Sequence, residues 1–510
     1  MKLSILTLLV CLLTHSISSQ TSLKDIDLKN GKYTVGFTHY TTIDSTRSYI
    51  SKPDINAIPS FRPIPVSIWY PSTIHSKNRS PLSVLNYMEI LKEEEEWEHL
   101  PNYFLLDWFY FKNTPENQQH LTEITTAFKD LSPAKGAFPV VIYAPGFEFS
   151  SIENFALCEL LASHGYIVIA SPSRGATSKR YQKPERAIET QARDLEFLIK
   201  EISDFPSADM KHVGTMGYSF GGISNILLQM RNPIIKANLS LDGTIRYNPD
   251  LLKSTAFYDL KKANIPFMHL AQKEIPKAIM EQENMPNALN TDFTFYDELT
   301  ESDAYKIRLH DLSHTYFSTL GVLFAGRDPK QDKSDEQIMA SYKIAATYGL
   351  QFMNAYLKNE QASLEFIRNT PQENKISTDL ISIELKKAAT KKAFEFYDFL
   401  KLAKQQAYKN MLTLYKDQKR KHPALIIPEG NLNTLGLQLI FNPITSKEGI
   451  AVYEFATMLY PNSANLYDSL AEGYVYLEDT KNAIRYFEKS LSLDPTNQNA
   501  IQRLKELRPY

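Results

Sequence analysis

The run Gly217-Tyr218-Ser219-Phe220-Gly221-Gly222 sets a serine among glycines, after a short apolar stretch and before the helical pattern Ile223-Ser224-Asn225-Ile226-Leu227-Leu228. A serine on a sharp strand-to-helix turn has a strained backbone that lifts its hydroxyl into the open, and glycines remove side chains that would collide where strand and helix cross. Only 18 of the 510 residues are glycine, so three around one serine single out this turn. A hydroxyl at neutral pH is a weak nucleophile and needs a base. His314, in Leu309-His310-Asp311-Leu312-Ser313-His314-Thr315, follows the serine in chain order and lies just beyond a strand, where an imidazole reaches across the top of a sheet. His310 sits nearer the strand body and reads as a packed or exposed histidine. The pair spells His-Asp-x-x-His, but a zinc motif of that spacing needs a helix and a glutamate at the second position, so no metal is expected.

Two carboxylates could orient the histidine and stabilise its imidazolium form. Asp242, in Leu239-Ser240-Leu241-Asp242-Gly243, ends the strand after the nucleophile helix, whereas Glu274, in Ala271-Gln272-Lys273-Glu274, follows the next strand. An aspartate before glycine is also an ordinary turn residue.

The elements that would hold these groups are legible as short, continuous apolar runs at 139–143, 166–170, 213–216, 237–241 and 265–270, the signature of buried parallel strands. Helical patterns at Asn154–Ser163 and Thr190–Ile202 lie between them, which predicts a doubly wound, mostly parallel α/β sheet with ligands at the carboxyl ends of its strands. An antiparallel strand pair from Tyr33–Phe37 and Pro65–Tyr70 is expected at the sheet edge, and a helix over Asp335–Leu357 closes the sheet. Residues 76–135 read as a helical cap insertion, with aromatics from Trp97 to Phe111 that serve mainly to pack it onto the core.

Residues 369–391 read as a polar linker, and 392–419 as one long amphipathic helix with a solvated charge run at Lys416–Lys421. Pro461 and Pro495 then lie 34 residues apart, the tetratricopeptide period. Tyr467, Leu470, Ala471, Tyr474, Ala483 and Phe487 fall at the signature offsets of that repeat, while Gly449, Tyr453 and Ala456 match only the second half of an earlier unit. Residues 431–510 therefore resemble two tetratricopeptide units, the first degenerate with an altered turn near Pro443, inside a helical domain over 392–510. Fewer than three units rarely stand alone, so the tail is expected to dock on the long helix or the catalytic domain, and its repeats offer a surface for a protein partner.

The segments Gly217–Gly222, Asp242-Gly243 and Ser313-His314-Thr315-Tyr316-Phe317-Ser318 resemble the platelet-activating factor acetylhydrolase branch of the α/β-hydrolases, close to dienelactone-hydrolase-like proteins. Ser163-His164-Gly165-Tyr166 and Arg62-Pro63-Ile64 are similar too, and the likeness spans about residues 30–360. It implies an α/β-hydrolase domain over 20–368, a catalytic set of Ser219, Asp242 and His314, and no cofactor. Asp242 is the acid it favours. It further implies an oxyanion hole built from the backbone amides of Phe147, in Pro145-Gly146-Phe147-Glu148, and Phe220. Pro145 stands where the family often has histidine. The implied activity is hydrolysis of a carboxylic ester, with lipid or acetyl esters as the family substrates. An amide or cell-wall acyl substrate for the same residues, or a vestigial site on a scaffold acting through its tail, are the alternatives.

With 56 basic and 58 acidic residues and no dense basic stripe, nucleic acid is not an expected partner. Residues 1–19 have a basic start, an apolar stretch and small residues at the end, the order of a signal peptide, so a secreted or periplasmic protein is expected. No later stretch approaches the ~20 apolar residues of a membrane span. Cleavage would leave Cys158 as the single thiol, and stability would rest on packing rather than disulfides.

Overall fold

Alternate residues along the apolar strands face opposite sides of one sheet, and each side is covered by helices. A computed structural model describes residues 21–50, 60–73, 79–181, 183–324, 332–389 and 394–508. The expected signal peptide, including Cys11, lies outside the described residues. The chain divides into two units, 1–389 and 390–510.

In the first unit the strands are β1 (Thr34–Tyr49), β2 (Ser60–Ser72), β3 (Ala127–Lys129), β4 (Phe138–Ala144), β5 (Ile167–Ala170), β6 (Ala208–Tyr218), β7 (Ile235–Leu241), β8 (Phe267–Ala271), β9 (Ala304–Leu309) and β10 (Ile381–Lys386). They form one sheet in the order β10-β9-β8-β7-β6-β4-β5-β2-β1-β3. The six from β4 to β9 are mutually parallel. β1 and β2 pair antiparallel as expected, with Gly36 opposite Tyr70, and the short β3 lies outside them. This is the doubly wound α/β-hydrolase arrangement. On β4, Val140 and Ile142 pack with Leu195, Leu198 and Leu228 on one face. Val141 and Tyr143 pack on the other with Phe155, Leu161 and Phe352. The helices Phe155–Ser163 and Asp335–Leu357 belong to the second face, and Asp335–Leu357 has the predicted bounds. Cys158 is buried and free.

Three local expectations fail. Residues 369–391 are not simply a linker, because Ile381–Lys386 pairs antiparallel with β9 from Ile381–Leu309 to Lys386–Ala304. An edge strand needs one apolar side only, and its alternating Ser382, Glu384 and Lys386 disguised it as polar connection. The long helix over 392–419 is two helices, Phe396–Gln405 and Met411–Lys421, because Ala407, Tyr408 and Asn410 take left-handed backbone conformations between them. The cap holds helices at Val84–Glu94, Leu105–Trp108 and Pro115–Leu121, yet most of its aromatics are not packing residues. Trp97, Tyr103, Phe104, Trp108 and Tyr110 are all exposed, Tyr110 at 97%.

In the second unit five helices follow one another from Glu429–Ile440 to Gln498–Leu507, each packed on its chain neighbour. Leu470, Ala471, Ala483 and Phe487 are fully buried there. Gly436 is needed for close approach, since a Cβ would lie 2.6 Å from the ring of Tyr453. Among the described residues no helix is long and apolar enough to cross a membrane.

Candidate active site

Ser219 joins β6 to the helix Phe220–Arg231 with φ 51° and ψ −118°, a left-handed conformation costly for a residue with a Cβ. Two close approaches make the turn possible. A Cβ on Gly217 would lie 2.5 Å from the Asn225 side chain, and one on Gly221 would collide with the carbonyl of Ala144 at the end of β4. The end of β4 and the first helical turn are thereby pressed together. The Ser219 amide is anchored by donating to the Leu241 carbonyl at 3.1 Å, and its own carbonyl accepts from Thr244 at 2.8 Å.

His314 begins the short helical turn His314–Phe317 after β9. Its Nε2 lies 3.0 Å from Ser219 Oγ and its Nδ1 lies 2.7 Å from Asp242 Oδ2. The imidazole is held by its surroundings as well. Its backbone N–H donates to Gln272 Oε1 at 3.0 Å, its carbonyl accepts from the Tyr218 hydroxyl at 3.2 Å, and the Tyr218 ring stacks on it at 5.1 Å.

Asp242 is fully buried, also with a left-handed backbone, at φ 41°. Besides His314, its carboxylate accepts from the Tyr247 hydroxyl at 2.6 Å and the Gln272 amide at 3.0 Å, with Arg246 Nη1 at 3.5 Å. Burial by itself would raise the pKa of this group. The bond to His314 and the nearby charges of His314 and Arg246 outweigh burial and hold the carboxyl well below the usual range. Behind it, His269 bonds Ser240 Oγ at 3.0 Å, and burial pushes its imidazole down to about 3, so it stays neutral.

Glu274 is elsewhere. Its side chain is 75% exposed and pairs with Arg308 at 3.5 Å, and the residue of that run that reaches the site is Gln272, two positions earlier. His310 bonds the Asp379 carbonyl and Ser382 Oγ beside β10, away from His314's partners. Among the described residues no cluster could hold a metal ion. Tyr218, Arg246, Tyr247 and Gln272 were not singled out from the sequence. Only proximity to the glycine turn and to Asp242 could have flagged the first three, and nothing in spacing marks Gln272.

Phe147 follows β4 in a tight turn in which the Phe149 N–H donates to the Gly146 carbonyl at 3.2 Å. The Phe147 ring meets that of Phe220 edge-on at 5.3 Å, and Tyr181 packs on both. Among the described residues the backbone amides of Phe147 and Phe220 have no hydrogen-bond acceptor. Backbone N–H groups left without an acceptor, one on the residue after the half-buried Ser219 and one on the turn after β4, are the type of donor an oxyanion requires. Next to this turn a cavity of about 510 Å³ opens between the cap and the core, with Leu91, Trp97, Trp108, Tyr110, Phe147 and Arg180 in its walls. Beneath the turn, burial raises the Glu153 carboxyl to about 8 against the lowering effect of the Gly146 amide and the Tyr143 hydroxyl.

No family model matches the chain, and no curated protein matches it. Among solved structures it is similar to a ferulic acid esterase from Streptomyces cinnamoneus, at 18% identity and a TM-score of 0.48, over 70% of this chain and 98% of that one.

Proposed function

We propose that the chain is a serine hydrolase that cleaves a carboxylic ester through an acyl-enzyme. The observation that carries this reading is the continuous hydrogen-bonded line from Ser219 Oγ through both His314 nitrogens to the buried Asp242 carboxylate. Ser219 Oγ attacks the ester carbonyl carbon while His314 Nε2 takes the hydroxyl proton. Asp242 stabilises the imidazolium and fixes the tautomer. The tetrahedral oxyanion accepts from the amides of Phe147 and Phe220, and its collapse expels the alcohol, which leaves with the proton from His314. Water then repeats the sequence on the acyl-enzyme, restoring Ser219 and releasing the acid.

The aromatic cavity beside Phe147 suits the apolar portion of the ester, in line with the lipid or acetyl esters implied by the likeness to platelet-activating factor acetylhydrolases. Export through the first 19 residues and a tetratricopeptide-like role for the tail belong to the same proposal.

The test is covalent capture of Ser219 by a fluorophosphonate, with turnover of esters of graded acyl length. Ser219→Ala is expected to abolish both while the fold persists. Capture that persists in that variant overturns the assignment.

A further inference from the structure

A buried carboxyl lies under the turn that offers the Phe147 amide, and the reaction as written does not use it. Glu153 is 3% exposed, and among the described residues it forms no ion pair with lysine, arginine or histidine. Its Oε2 accepts from the Gly146 N–H at 2.8 Å and from the Tyr143 hydroxyl at 3.3 Å. Both donors converge on one oxygen, as they do at the carbonyl oxygen of a neutral carboxyl, which leaves Oε1 for the proton. The turn is pinned from its other side by Gln191 Nε2, which donates to the Pro145 carbonyl at 3.0 Å. The Glu153 carbonyl accepts from Leu320 N–H at 3.2 Å, six residues beyond His314.

We propose that Glu153 is a positioning residue that fixes the Pro145–Phe147 turn as a neutral carboxyl, and that loss of its proton shuts the site down. The inference rests on the serine hydrolase reading. A neutral carboxyl holds the Gly146 amide, and so the next amide in the chain, without placing a negative charge beside a developing oxyanion. An ionised one in the same dry location opposes that oxyanion directly, because water does not screen the two charges there.

Burial raises the Glu153 carboxyl to about 8, so it is protonated at neutral pH and loses its proton just above. The other titratable groups around it are Tyr143 from β4, Tyr218 from β6 and Cys158 from the helix Phe155–Ser163, with Asp242 and His314 beyond Tyr218. Burial pushes Tyr143, Tyr218 and Cys158 far above their ordinary values, and Asp242 is held far below its own, so none of these four titrates alongside Glu153.

The test compares wild type, Glu153→Gln and Glu153→Leu in the full chain on one soluble ester from about pH 6 to about 9.5, with near-ultraviolet circular dichroism as the check on folding. Glutamine still accepts from the Gly146 amide but cannot ionise. Wild-type kcat is expected to fall above about pH 8. In Glu153→Gln, kcat at pH 7 should stay within about threefold of wild type and the alkaline fall should vanish. Folded Glu153→Leu should lose ~10–100-fold in kcat with KM within about twofold, and if it does not fold, the glutamine profile decides alone. A wild-type profile flat at alkaline pH, an unchanged fall in Glu153→Gln, or a fully active folded Glu153→Leu overturns the inference. Fluorophosphonate capture separates the two levels: a wild type that is neither labelled nor active overturns the hydrolase reading and this inference with it, whereas a labelled, active wild type whose alkaline fall survives in Glu153→Gln overturns this inference alone.

Discussion

Asp242 Oδ2 stands 2.7 Å from His314 Nδ1 although 72 residues separate the two in the chain. Strand order explains the meeting. β7 lies directly beside β6, so the residue that ends β7 arrives next to Ser219, and β8 and β9 bring the histidine segment back across the same edge.

That relationship predicts how the two candidate acids differ. Asp242→Asn keeps the shape but favours the wrong imidazole tautomer, so turnover should fall by up to ~10⁴-fold with native circular dichroism. Glu274→Gln, on an exposed side chain bridged to Arg308, should stay within about twofold. Steady-state kinetics of both variants on one ester decide the matter. A large loss in the glutamate variant with a small one in the aspartate variant would refute the assignment.

The backbone at Ser219 stores strain that can be measured without catalysis. At φ 51° and ψ −118° glycine is at ease and alanine is not. Ser219→Gly should therefore be more stable than Ser219→Ala by about 1 kcal/mol, after allowing for the greater freedom of glycine in the unfolded chain. Urea denaturation of the two inactive variants provides the comparison, and equal midpoints would mean that the turn is unstrained.

Arg62 is almost wholly buried and grips Asp194 through two bonds, Nε to Oδ1 at 2.9 Å and Nη2 to Oδ2 at 2.5 Å, while its Nη1 donates to the Gly175 carbonyl. Arg47 reaches the same carboxylate at 2.7 Å. Arg62→Ala leaves the Gly175 carbonyl and part of the buried Asp194 carboxylate without a donor while Arg47 stays in place, and should cost about 3 kcal/mol. Arg62→Lys should recover only part of this, because an ammonium cannot reproduce the paired bonds. Thermal or chemical unfolding measures both, and an alanine variant within about 1 kcal/mol of wild type would show the pair to be dispensable.

Truncation tests where the first unit ends. A chain stopped after Ala389 keeps β10 and every residue of the candidate site, and should fold and turn over a small soluble ester much as the full chain does. A chain stopped after Arg368 loses β10, bares the edge of β9 and should aggregate. Size-exclusion chromatography with activity in the eluted peak distinguishes the outcomes. A soluble, active product ending at Arg368 would show that the edge strand does not protect the sheet.

What the sequence determined by itself was local. The glycine-flanked serine, the apolar runs of β4 to β8 and the helix Asp335–Leu357 are each written in a few consecutive residues, because steric permission at a turn and burial on both faces of a strand are short-range demands. β9 was harder to read, since Lys306 and Arg308 interrupt its pattern where they lie over the ring of Phe293. The choice between Asp242 and Glu274 was not local at all. Both end a run after a strand, and only the lateral order of β6, β7 and β8 decides which carboxylate is buried against His314 and which faces solvent. The same holds for Gln272, which joins the site through its backbone and side chain alike, and for β10, whose polar side needs no burial because β9 supplies its neighbour. Hydrogen bonds between strands distant in the chain leave no periodicity behind them, so these placements existed only once the sheet had closed.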